Sequence, residues 1–270
     1  MGSLTGWEAI ILGFVQGLTE FLPVSSSGHL VLFQRLFGLQ EAALLFDVVL
    51  HLATLVAVLV VFYREFAGIL RRPASHLTWL LVAGTIPTGI IGLAFRDFFD
   101  RLFASGQSLG VEFIITGLVL WLAESQRPRY NPKTMERISL LDAAFIGTMQ
   151  GLAILPAISR SGLTIAGSLF RGLDRETAAR FSFILSAPAI LGAGLVELRD
   201  LPAAASTSLP WFPALLGAVA AGVSGYLAIR FMIRLLSRSN MRVFSFYVWA
   251  LGLLVLFDQL VTHRFFPPLW

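Results

Sequence analysis

Residues 16–29 read QGLTEFLPVSSSGH, and this stretch decides the fold because it places polar chemistry inside strongly apolar sequence. It contains a carboxylate, four hydroxyl side chains, an imidazole and two residues that interrupt helices, Pro and Gly. Residues 150–164 read QGLAILPAISRSGLT and match the first stretch when Gln16 is aligned with Gln150, an offset of 134 residues. The chain is therefore predicted to contain two copies of one unit, each with one polar loop. The identical positions are Gln16, Gly17, Leu18, Ser25, Ser27 and Gly28.

The composition is that of an integral membrane protein. Apolar residues make up 56% of the 270 positions and charged residues 13%, about half the charge expected of a soluble domain. The absence of cysteine excludes disulfides and thiolate metal sites. The 20 basic residues lie mostly in short clusters between apolar segments, which is typical of membrane topology signals rather than of a nucleic-acid surface. No removable signal peptide is expected, since residues 1–20 lack a basic segment and a cleavage site.

Six segments are long and apolar enough to cross a bilayer, which takes about 20 residues of helix. Two further apolar stretches, 7–37 and 140–170, are interrupted by Pro, Ser and Gly, so that each half is too short to span. Each stretch predicts two helices that meet at a broken tip, a re-entrant hairpin. The six spans are predicted at residues 42–63, 77–95, 109–123, 177–198, 211–233 and 243–261.

The duplication extends into the spans. Glycines recur at nearly the same offset in separate segments, and although small residues alone permit close helix packing, this agreement favours duplication. We therefore predict an all-α polytopic membrane protein with one domain, residues 1–270. Repeat one covers about 4–125 and repeat two about 138–262, each a re-entrant hairpin followed by three transmembrane helices. The recurring pairs are Gly84 and Gly217, Gly89 and Gly222, Gly92 and Gly225, and Gly117 and Gly252.

The charged loops predict the orientation of the two copies. The turns near 96–101 and 199–210 carry balanced charge and are placed outside, whereas the strongly basic loops are assigned to the cytoplasm. Three crossings per copy is an odd number, so the repeats are predicted to be inverted, with both termini outside. Inverted repeats with broken helices place their site where the breaks converge. The cytoplasmic residues are Arg64, Arg71, Arg72, Arg127, Arg129, Lys133, Arg137, Arg230, Arg234, Arg238 and Arg242.

A hydroxyl-rich turn precedes an apolar helix in each copy. The free N–H groups of a helix start suit an anion, although serines there can simply cap the helix. Arg160 would cost at least about 2.5 kcal/mol inside a membrane, so it needs an anion or a wet cavity. Its planar fork suits phosphate. Phosphate binding is favoured over the alternative, a structural pair with Glu20. The turns comprise Ser25, Ser26, Ser27 and Gly28, and Ser159, Arg160, Ser161, Gly162 and Thr164.

Several carboxylates and imidazoles remain to be assigned. Glu20 follows Gln16 by four residues, so both project from one helix face, and Glu20 could be a general base, a metal ligand or the counterion of Arg160. His29 follows the serine turn, which favours catalysis over packing. His51 with Asp47 is a further polar pair that an interior hydrogen bond explains equally well. A solvated or interfacial position is the default for Glu8, Glu112, Glu124, Glu197 and Asp258.

At these residues the chain resembles the undecaprenyl-diphosphate phosphatase family of bacterial inner membranes, also called the bacitracin-resistance family. The first signature, Glu or Gln followed after three residues by Glu, is matched by Gln16 and Glu20, and its continuation by residues 21–29. The second signature is matched by residues 156–164, with Ala157 where Gly is common. Gln16 removes one carboxylate of a Glu pair, and Ala157 stiffens the second turn.

The resemblance implies hydrolysis of undecaprenyl diphosphate to undecaprenyl phosphate and inorganic phosphate, which returns the lipid carrier to peptidoglycan synthesis. It implies an outward-facing site, contact with membrane lipid and competition with bacitracin for the substrate. No tightly bound cofactor and no metal-binding residues are expected, and Mg²⁺ or Ca²⁺ would be carried with the diphosphate. A homodimer is compatible with the sequence.

We expect the two loops to bring Arg160 beside Glu20 and His29. The catalytic set is then Glu20, Ser27, His29 and Arg160, with Ser27 as nucleophile and His29 as its base, or His29 or water as nucleophile instead. An inverted-repeat transporter or flippase for a polyprenyl phosphate is the alternative function. The substrate-binding set is Gln16, Ser25, Ser26, Gly28, Ser159, Ser161, Gly162 and Thr164.

Overall fold

The computed structural model describes residues 4–38, 43–126, 130–200, 210–237 and 239–268. Within these ranges the regular structure is helical, apart from one isolated β-bridge between Lys133 and Leu173. Arg127, Arg129, Arg238 and most of the predicted outer turn at 199–210 lie outside the described residues. The helices are α1 (Gly6–Phe21), α2 (Ser26–Phe37), α3 (Ala43–Val61), α4 (Tyr63–Arg71), α5 (His76–Ala94), α6 (Arg96–Ser105), α7 (Leu109–Glu124), α8 (Leu140–Leu152), α9 (Arg160–Phe170), α10 (Arg175–Asp200), α11 (Trp211–Leu236) and α12 (Arg242–Phe257), with a short 3₁₀ helix at Met135–Arg137 and a π-helical turn at Asp258–Thr262.

The long apolar helices confirm the prediction of a polytopic all-α membrane protein. Four helices, α5, α10, α11 and α12 with its π-helical turn, are each long and apolar enough to cross a membrane. Two bent pairs raise the number to six if each pair is one span: α3 with α4, at 79°, and α6 with α7, at 112°. These six correspond to the six predicted segments. The sequence did not predict the two sharp bends, which turn α4 and α6 away from the direction of a span.

Both interrupted stretches form pairs of short helices. α1 and α2 contain 16 and 12 residues, and α8 and α9 contain 13 and 11, all below the length of about 20 that a span requires. The partners pack against each other in each pair. α1 and α8 both begin with a capping box, formed by Thr5 with Glu8 and by Ser139 with Asp142. The two copies thus start their broken hairpins in the same way.

The two copies pack against each other reciprocally. α1 packs on α11 of the second copy, and α8 packs on α5 of the first. Gly13 lies against Gly217 and Gly147 against Gly84, so closely that a Cβ on Gly13 or Gly147 would overlap the carbonyl oxygen opposite. Because Gly13 and Gly147 are equivalent positions, as are Gly84 and Gly217, the same contact is built twice. This packing is consistent with two inverted repeats around a pseudo-two-fold axis.

Large apolar side chains cover the outside of the molecule. The main core packs around α10, where Phe183 meets Phe21 of α1 edge-to-face at 5.5 Å between ring centroids. The outward faces of α5 and α11 expose aliphatic side chains, among them Ile90, Val219 and Leu227. Extended exposed apolar surface requires a lipid or protein partner. Together with the apolar helices, it identifies a multi-pass membrane protein.

Candidate active site

The broken tips of the two hairpins are in direct contact. The Ser25 hydroxyl donates to the carbonyl oxygen of Pro156 at 3.0 Å, and the Ser161 hydroxyl donates to that of Leu22 at 3.0 Å. A Cβ on Gly28 would lie 3.2 Å from Cβ of Ala157 and closer still to a neighbouring aromatic ring, so this approach requires glycine at position 28. The two polar loops therefore form one site from both copies of the repeat.

A serine caps the helix that follows each tip. Ser25 is the N-cap of α2 and accepts a hydrogen bond from the Gly28 amide, and Ser159 is the N-cap of α9 and accepts one from the Gly162 amide. Ser25 has a φ of 69°, a left-handed conformation that is rare outside glycine and is often found at functional sites. The capping role that the sequence left open is present in both turns. Each helix start still directs free N–H groups and the positive end of its dipole toward the junction.

A buried ion pair joins the two copies at this junction. Nη2 of Arg160, at the start of α9, donates to Oε1 of Glu20 in the last turn of α1, and the two side chains are 17% and 4% exposed. Oε2 of Glu20 accepts hydrogen bonds from Gln16 Nε2 at 3.0 Å and from the Ser26 hydroxyl. The structural pair that the sequence offered as an alternative is therefore formed.

Two buried polar atoms at this ion pair have no partner. Among the described residues, Nη1 of Arg160 and Oε1 of Gln16 make no hydrogen bond. A buried polar atom without a partner costs about 1–3 kcal/mol, so such atoms call for a functional reason. Nη1 is a donor suited to an oxyanion, and Oε1 is an acceptor suited to a protonated oxygen, a water molecule or a cation.

The duplicated unit has diverged so that each copy supplies one charge. Ile154 occupies the position equivalent to Glu20, and Arg160 occupies the position equivalent to Ser26. Gln150, the counterpart of Gln16, donates through Nε2 to the Thr88 hydroxyl at 3.2 Å instead of to a carboxylate. The Glu20 carboxylate and the Arg160 guanidinium therefore come from different hairpins, and they pair because the two tips are in contact.

The structure does not place His29 against Glu20. Nδ1 of His29 lies 2.6 Å from the carbonyl oxygen of Ser25, and Nε2 lies 2.8 Å from the hydroxyl of Tyr247 on α12. The imidazole also stacks on the Tyr247 ring at 5.7 Å and meets Phe113 edge-on. Because both ring nitrogens are occupied, the expected contact between His29 and the acid is not formed in this state.

The imidazole beside the acid belongs to His51 instead. Nε2 of His51, on α3, lies 3.8 Å from Oε2 of Glu20, and the His51 side chain is 31% exposed. Nδ1 lies 2.8 Å from the carbonyl oxygen of Asp47. The pairing of His51 with Asp47 thus involves the main chain, while the Asp47 carboxylate accepts from Gln34 Nε2 at 2.8 Å.

The remaining predicted residues belong to the two turns. Ser27, in the first turn, is partly exposed, and its hydroxyl makes no hydrogen bond within the described part of the chain. The Thr164 hydroxyl is buried and donates to the Arg160 carbonyl at 2.8 Å, and it also contacts the Ser182 hydroxyl. Ser159 and Ser161 face each other with 3.3 Å between their hydroxyl oxygens. Their assignment to substrate binding stays a prediction.

Two residues that fix the second turn were missed by the sequence interpretation. Oε2 of Glu112 accepts from the Ala157 amide at 2.6 Å. The Thr116 hydroxyl donates to the Ala157 carbonyl at 3.0 Å and accepts from the Ser159 amide at 3.2 Å. Glu112 and Thr116 are four residues apart on one face of α7, and a polar pair at that spacing in an apolar span was the available signal.

Three of the acids that were expected in a solvated or interfacial position have buried side chains and are therefore not solvated. Glu112 is 4% exposed, Glu124 is 9% exposed and Asp258 is 8% exposed. Glu124 is buried because both its oxygens accept from the guanidinium of Arg175, and Asp258 because it accepts from main-chain amides after the π-helical turn. In each case hydrogen-bond donors of the protein satisfy the buried carboxylate.

The site offers few ligands for a metal ion. Among the described residues, no group of three or more His, Asp or Glu side chains could hold one. At the junction the oxygen donors include the Glu20 carboxylate, already bound to Arg160, Oε1 of Gln16 and the Ser27 hydroxyl. This set is smaller than the six or more oxygens of a protein cage for a hard divalent cation.

Comparison with known proteins agrees with this arrangement. The family model described as Bacitracin resistance protein BacA matches residues 9–254, which include both hairpin tips. Undecaprenyl-diphosphatase of Carboxydothermus hydrogenoformans is 54% identical over 258 residues, 95% of this chain and 98% of the relative. Undecaprenyl-diphosphatase 4 of Bacillus thuringiensis is 46% identical over 96% of this chain and 98% of the relative, and undecaprenyl-diphosphatase of Halothermothrix orenii is 44% identical over 93% and 96%. The chain therefore belongs to the bacitracin resistance protein BacA family.

Proposed function

We propose that this protein is a membrane phosphatase that hydrolyses undecaprenyl diphosphate to undecaprenyl phosphate and inorganic phosphate, and so recycles the lipid carrier for peptidoglycan synthesis. The observation that carries the proposal is the Arg160–Glu20 pair at the junction of two hairpin tips, with one guanidinium nitrogen unpartnered. The relatives that cover nearly the whole chain are named for this activity, which supports the same assignment.

Substrate binding would begin by exchange of one anion for another. The terminal phosphate of the diphosphate takes the place of Glu20 on Arg160, and Nη1 gains the partner that it lacks. The starts of α2 and α9 add N–H groups, and Ser159 and Ser161 add hydroxyls. Such fixed donors stabilise the charge that develops on a transferred phosphoryl group. The exchange also frees the Glu20 carboxylate to act as a base.

Ser27 remains the proposed nucleophile. Its hydroxyl is partly exposed at the junction and is free of the hydrogen bonds that occupy Ser25 and Ser26. Attack on the terminal phosphorus forms a bond to the serine oxygen and breaks the bond to the bridging oxygen, which leaves with undecaprenyl phosphate. Glu20 takes the serine proton and passes it to the leaving undecaprenyl phosphate. Glu20 then takes a proton from the water molecule that attacks the phosphoserine, and returns it to the serine oxygen as inorganic phosphate leaves. His29 could serve as the base after leaving Tyr247.

Rapid-quench labelling distinguishes the nucleophiles. A phosphoenzyme stable to acid and labile to base is expected if Ser27 attacks. An acid-labile phosphoenzyme assigns the attack to a histidine, and the absence of any phosphoenzyme assigns it to water. Ser27→Ala should abolish the acid-stable species, whereas Ser237→Ala, on the exposed end of α11, should leave it unchanged.

We place the protein in the bacterial inner membrane with the site open to the outer face and the polyprenyl chain along the exposed apolar surface. The support is the distribution of charge between loops. Because the chain has no cysteine, single substitutions can report topology. Ala74→Cys, before α5, should react with a membrane-impermeant maleimide from the cytoplasm, and Ala104→Cys, in α6, from outside. Labelling of both from one side would contradict the orientation.

The remaining partners follow from the substrate. Mg²⁺ or Ca²⁺ would be carried with the diphosphate, and Gln16 Oε1 and the Glu20 carboxylate would supply up to three more oxygens. Bacitracin would compete for the substrate, and membrane lipid would surround the apolar faces. A homodimer is compatible with these faces, and no nucleic acid is expected. Removal of divalent cations should raise KM more than it lowers kcat, measured by phosphate release across a metal titration.

One assay tests the proposed function. Purified protein in detergent should release phosphate from undecaprenyl diphosphate, and Glu20→Ala should lose nearly all turnover. Detergent removes the two sides of the membrane, so activity there cannot come from transport. Absence of phosphate release, combined with movement of undecaprenyl phosphate between leaflets of proteoliposomes, would overturn the phosphatase and favour a flippase.

A further inference from the structure

The Glu20 carboxylate has an imidazole neighbour that the reaction above does not use. Oε1 of Glu20 is bound by Arg160, whereas Nε2 of His51 lies on the other oxygen, 3.8 Å from Oε2. His51 is on α3, which packs against α1, so its position does not depend on either hairpin tip. Its side chain is 31% exposed, while that of Glu20 is 4% exposed. His51 is therefore the more exposed partner of this pair.

The hydrogen bond on the far side of the ring fixes how His51 meets the acid. Nδ1 lies 2.8 Å from the Asp47 carbonyl oxygen, and a carbonyl can only accept, so Nδ1 carries a proton. Nε2 then faces Glu20 either as a second N–H or through a bridging water molecule, since 3.8 Å is too long for a direct hydrogen bond. In both cases the ring is held with Nε2 directed at Oε2. The Thr54 hydroxyl donates to the His51 carbonyl and braces the same turn of α3.

We propose that His51 is the positioning residue that holds Glu20 when Arg160 transfers to the diphosphate. This inference rests on the proposed function. Once the guanidinium binds the substrate, Glu20 loses its strongest partner, and Gln16, Ser26 and His51 remain to keep the carboxylate in place. Of these three, His51 is the one that can carry a charge. Its hold on Oε2 leaves Oε1 free to accept the proton of the attacking hydroxyl.

His29 does not fill this role in the structure. Its nitrogens are taken by the Ser25 carbonyl and by Tyr247, on the side of α2 that faces α7 and α12. The charged groups that act on His51 are Glu20 from α1, the Asp47 carboxylate on its own helix and Glu197 from α10. Glu20 is the one of these acids that also contacts Arg160. The two histidines therefore contact different groups: His51 lies beside the Glu20 carboxylate, and His29 contacts Ser25 and Tyr247 at the start of α2.

A set of kinetic variants tests this role. His51→Ala should lower kcat about 10- to 100-fold, the range typical when the outer partner of a catalytic group is removed, with KM changed less than twofold. His51→Gln keeps a side-chain donor and should recover most of the lost kcat. In a Glu20→Gln background, His51→Ala should add no further loss, because the group it positions is gone. His76→Gln, on α5 far from the junction, is the matched control and should behave as wild type.

The opposite results overturn the proposal. A His51→Ala enzyme with kcat within twofold of wild type, or a full additional loss in the Glu20→Gln background, means that His51 does not act through Glu20. Nitrogen NMR of the four histidines adds a readout that needs no turnover. Glu20→Gln should move the Nε2 resonance of His51 and leave that of His76 in place, and an unmoved His51 resonance refutes the pairing. If wild-type protein releases no phosphate, the proposed function fails, and the NMR result still decides the pairing.

Discussion

Replacement of Arg160 by lysine tests whether the site needs only a positive charge at the junction or also the planar shape of the guanidinium group. Lysine keeps the positive charge and can still pair with Glu20. It offers one ammonium group in place of two terminal nitrogens, and Nη1, the nitrogen without a partner in this structure, is lost. The variant therefore removes the donor that is expected to bind only after the diphosphate arrives.

The size of the effect follows from one charge-assisted hydrogen bond. Such a bond contributes about 1.5–3 kcal/mol. Since about 1.4 kcal/mol corresponds to a factor of ten in rate, Arg160→Lys should lower kcat/KM about 10- to 150-fold. Arg160→Ala also removes the charge, and the loss should reach about 10³-fold or more, as for arginines that stabilise phosphoryl transfer elsewhere.

The measurement is phosphate release by purified protein in detergent over a range of substrate concentrations. Arg175→Lys is the matched control, because Arg175 also pairs with a carboxylate, that of Glu124, and it does so through both terminal nitrogens. That change should lower thermal stability and leave kcat/KM of the folded protein unchanged. If Arg160→Lys stays within threefold of wild type, the guanidinium fork does not bind the reacting phosphate and the reasoning is refuted.

Two further predictions concern the support of the site. Gly147→Ala should lower the free energy of unfolding by about 1–3 kcal/mol or prevent folding, because its Cβ would overlap the carbonyl oxygen of Gly84. The control Gly89→Ala has nothing within 4 Å of the new atom and should be neutral or stabilising. Thermal unfolding in detergent measures both variants, and equal effects would contradict the close packing. Glu112→Ala should leave the buried Ala157 amide without an acceptor, and it should lower the free energy of unfolding by about 1–3 kcal/mol and also lower turnover. Glu112→Gln keeps an oxygen acceptor and should restore both stability and turnover. Unchanged unfolding and kinetics in the alanine variant would show that this bond does not hold the second turn.

Much of the fold could be predicted from local sequence. The broken hairpins follow from Pro and Gly inside apolar stretches, because each half is too short to span and must end at the break. The predicted stretches 7–37 and 140–170 agree closely with α1–α2 and α8–α9. The bends between α3 and α4 and between α6 and α7 could not be predicted from hydropathy. An apolar stretch shows how many consecutive residues can lie in a membrane, but it does not show where the helix axis changes direction.

The candidate site, like the fold, could be predicted from the sequence only in part. The sequence alone indicated that Arg160 needs an anionic partner, since an isolated charge is costly in a membrane, and that the two polar loops belong to equivalent positions. It indicated His29 as the histidine beside Glu20, because both lie in one polar stretch, whereas the histidine that meets Glu20 is His51. That choice depends on how α3 packs on α1 and how α12 packs on α7, which only the tertiary structure determines. Periodicity and breaks along the chain encode where helices start and stop, whereas the partner of a buried polar side chain is set by contacts between helices that are distant in sequence.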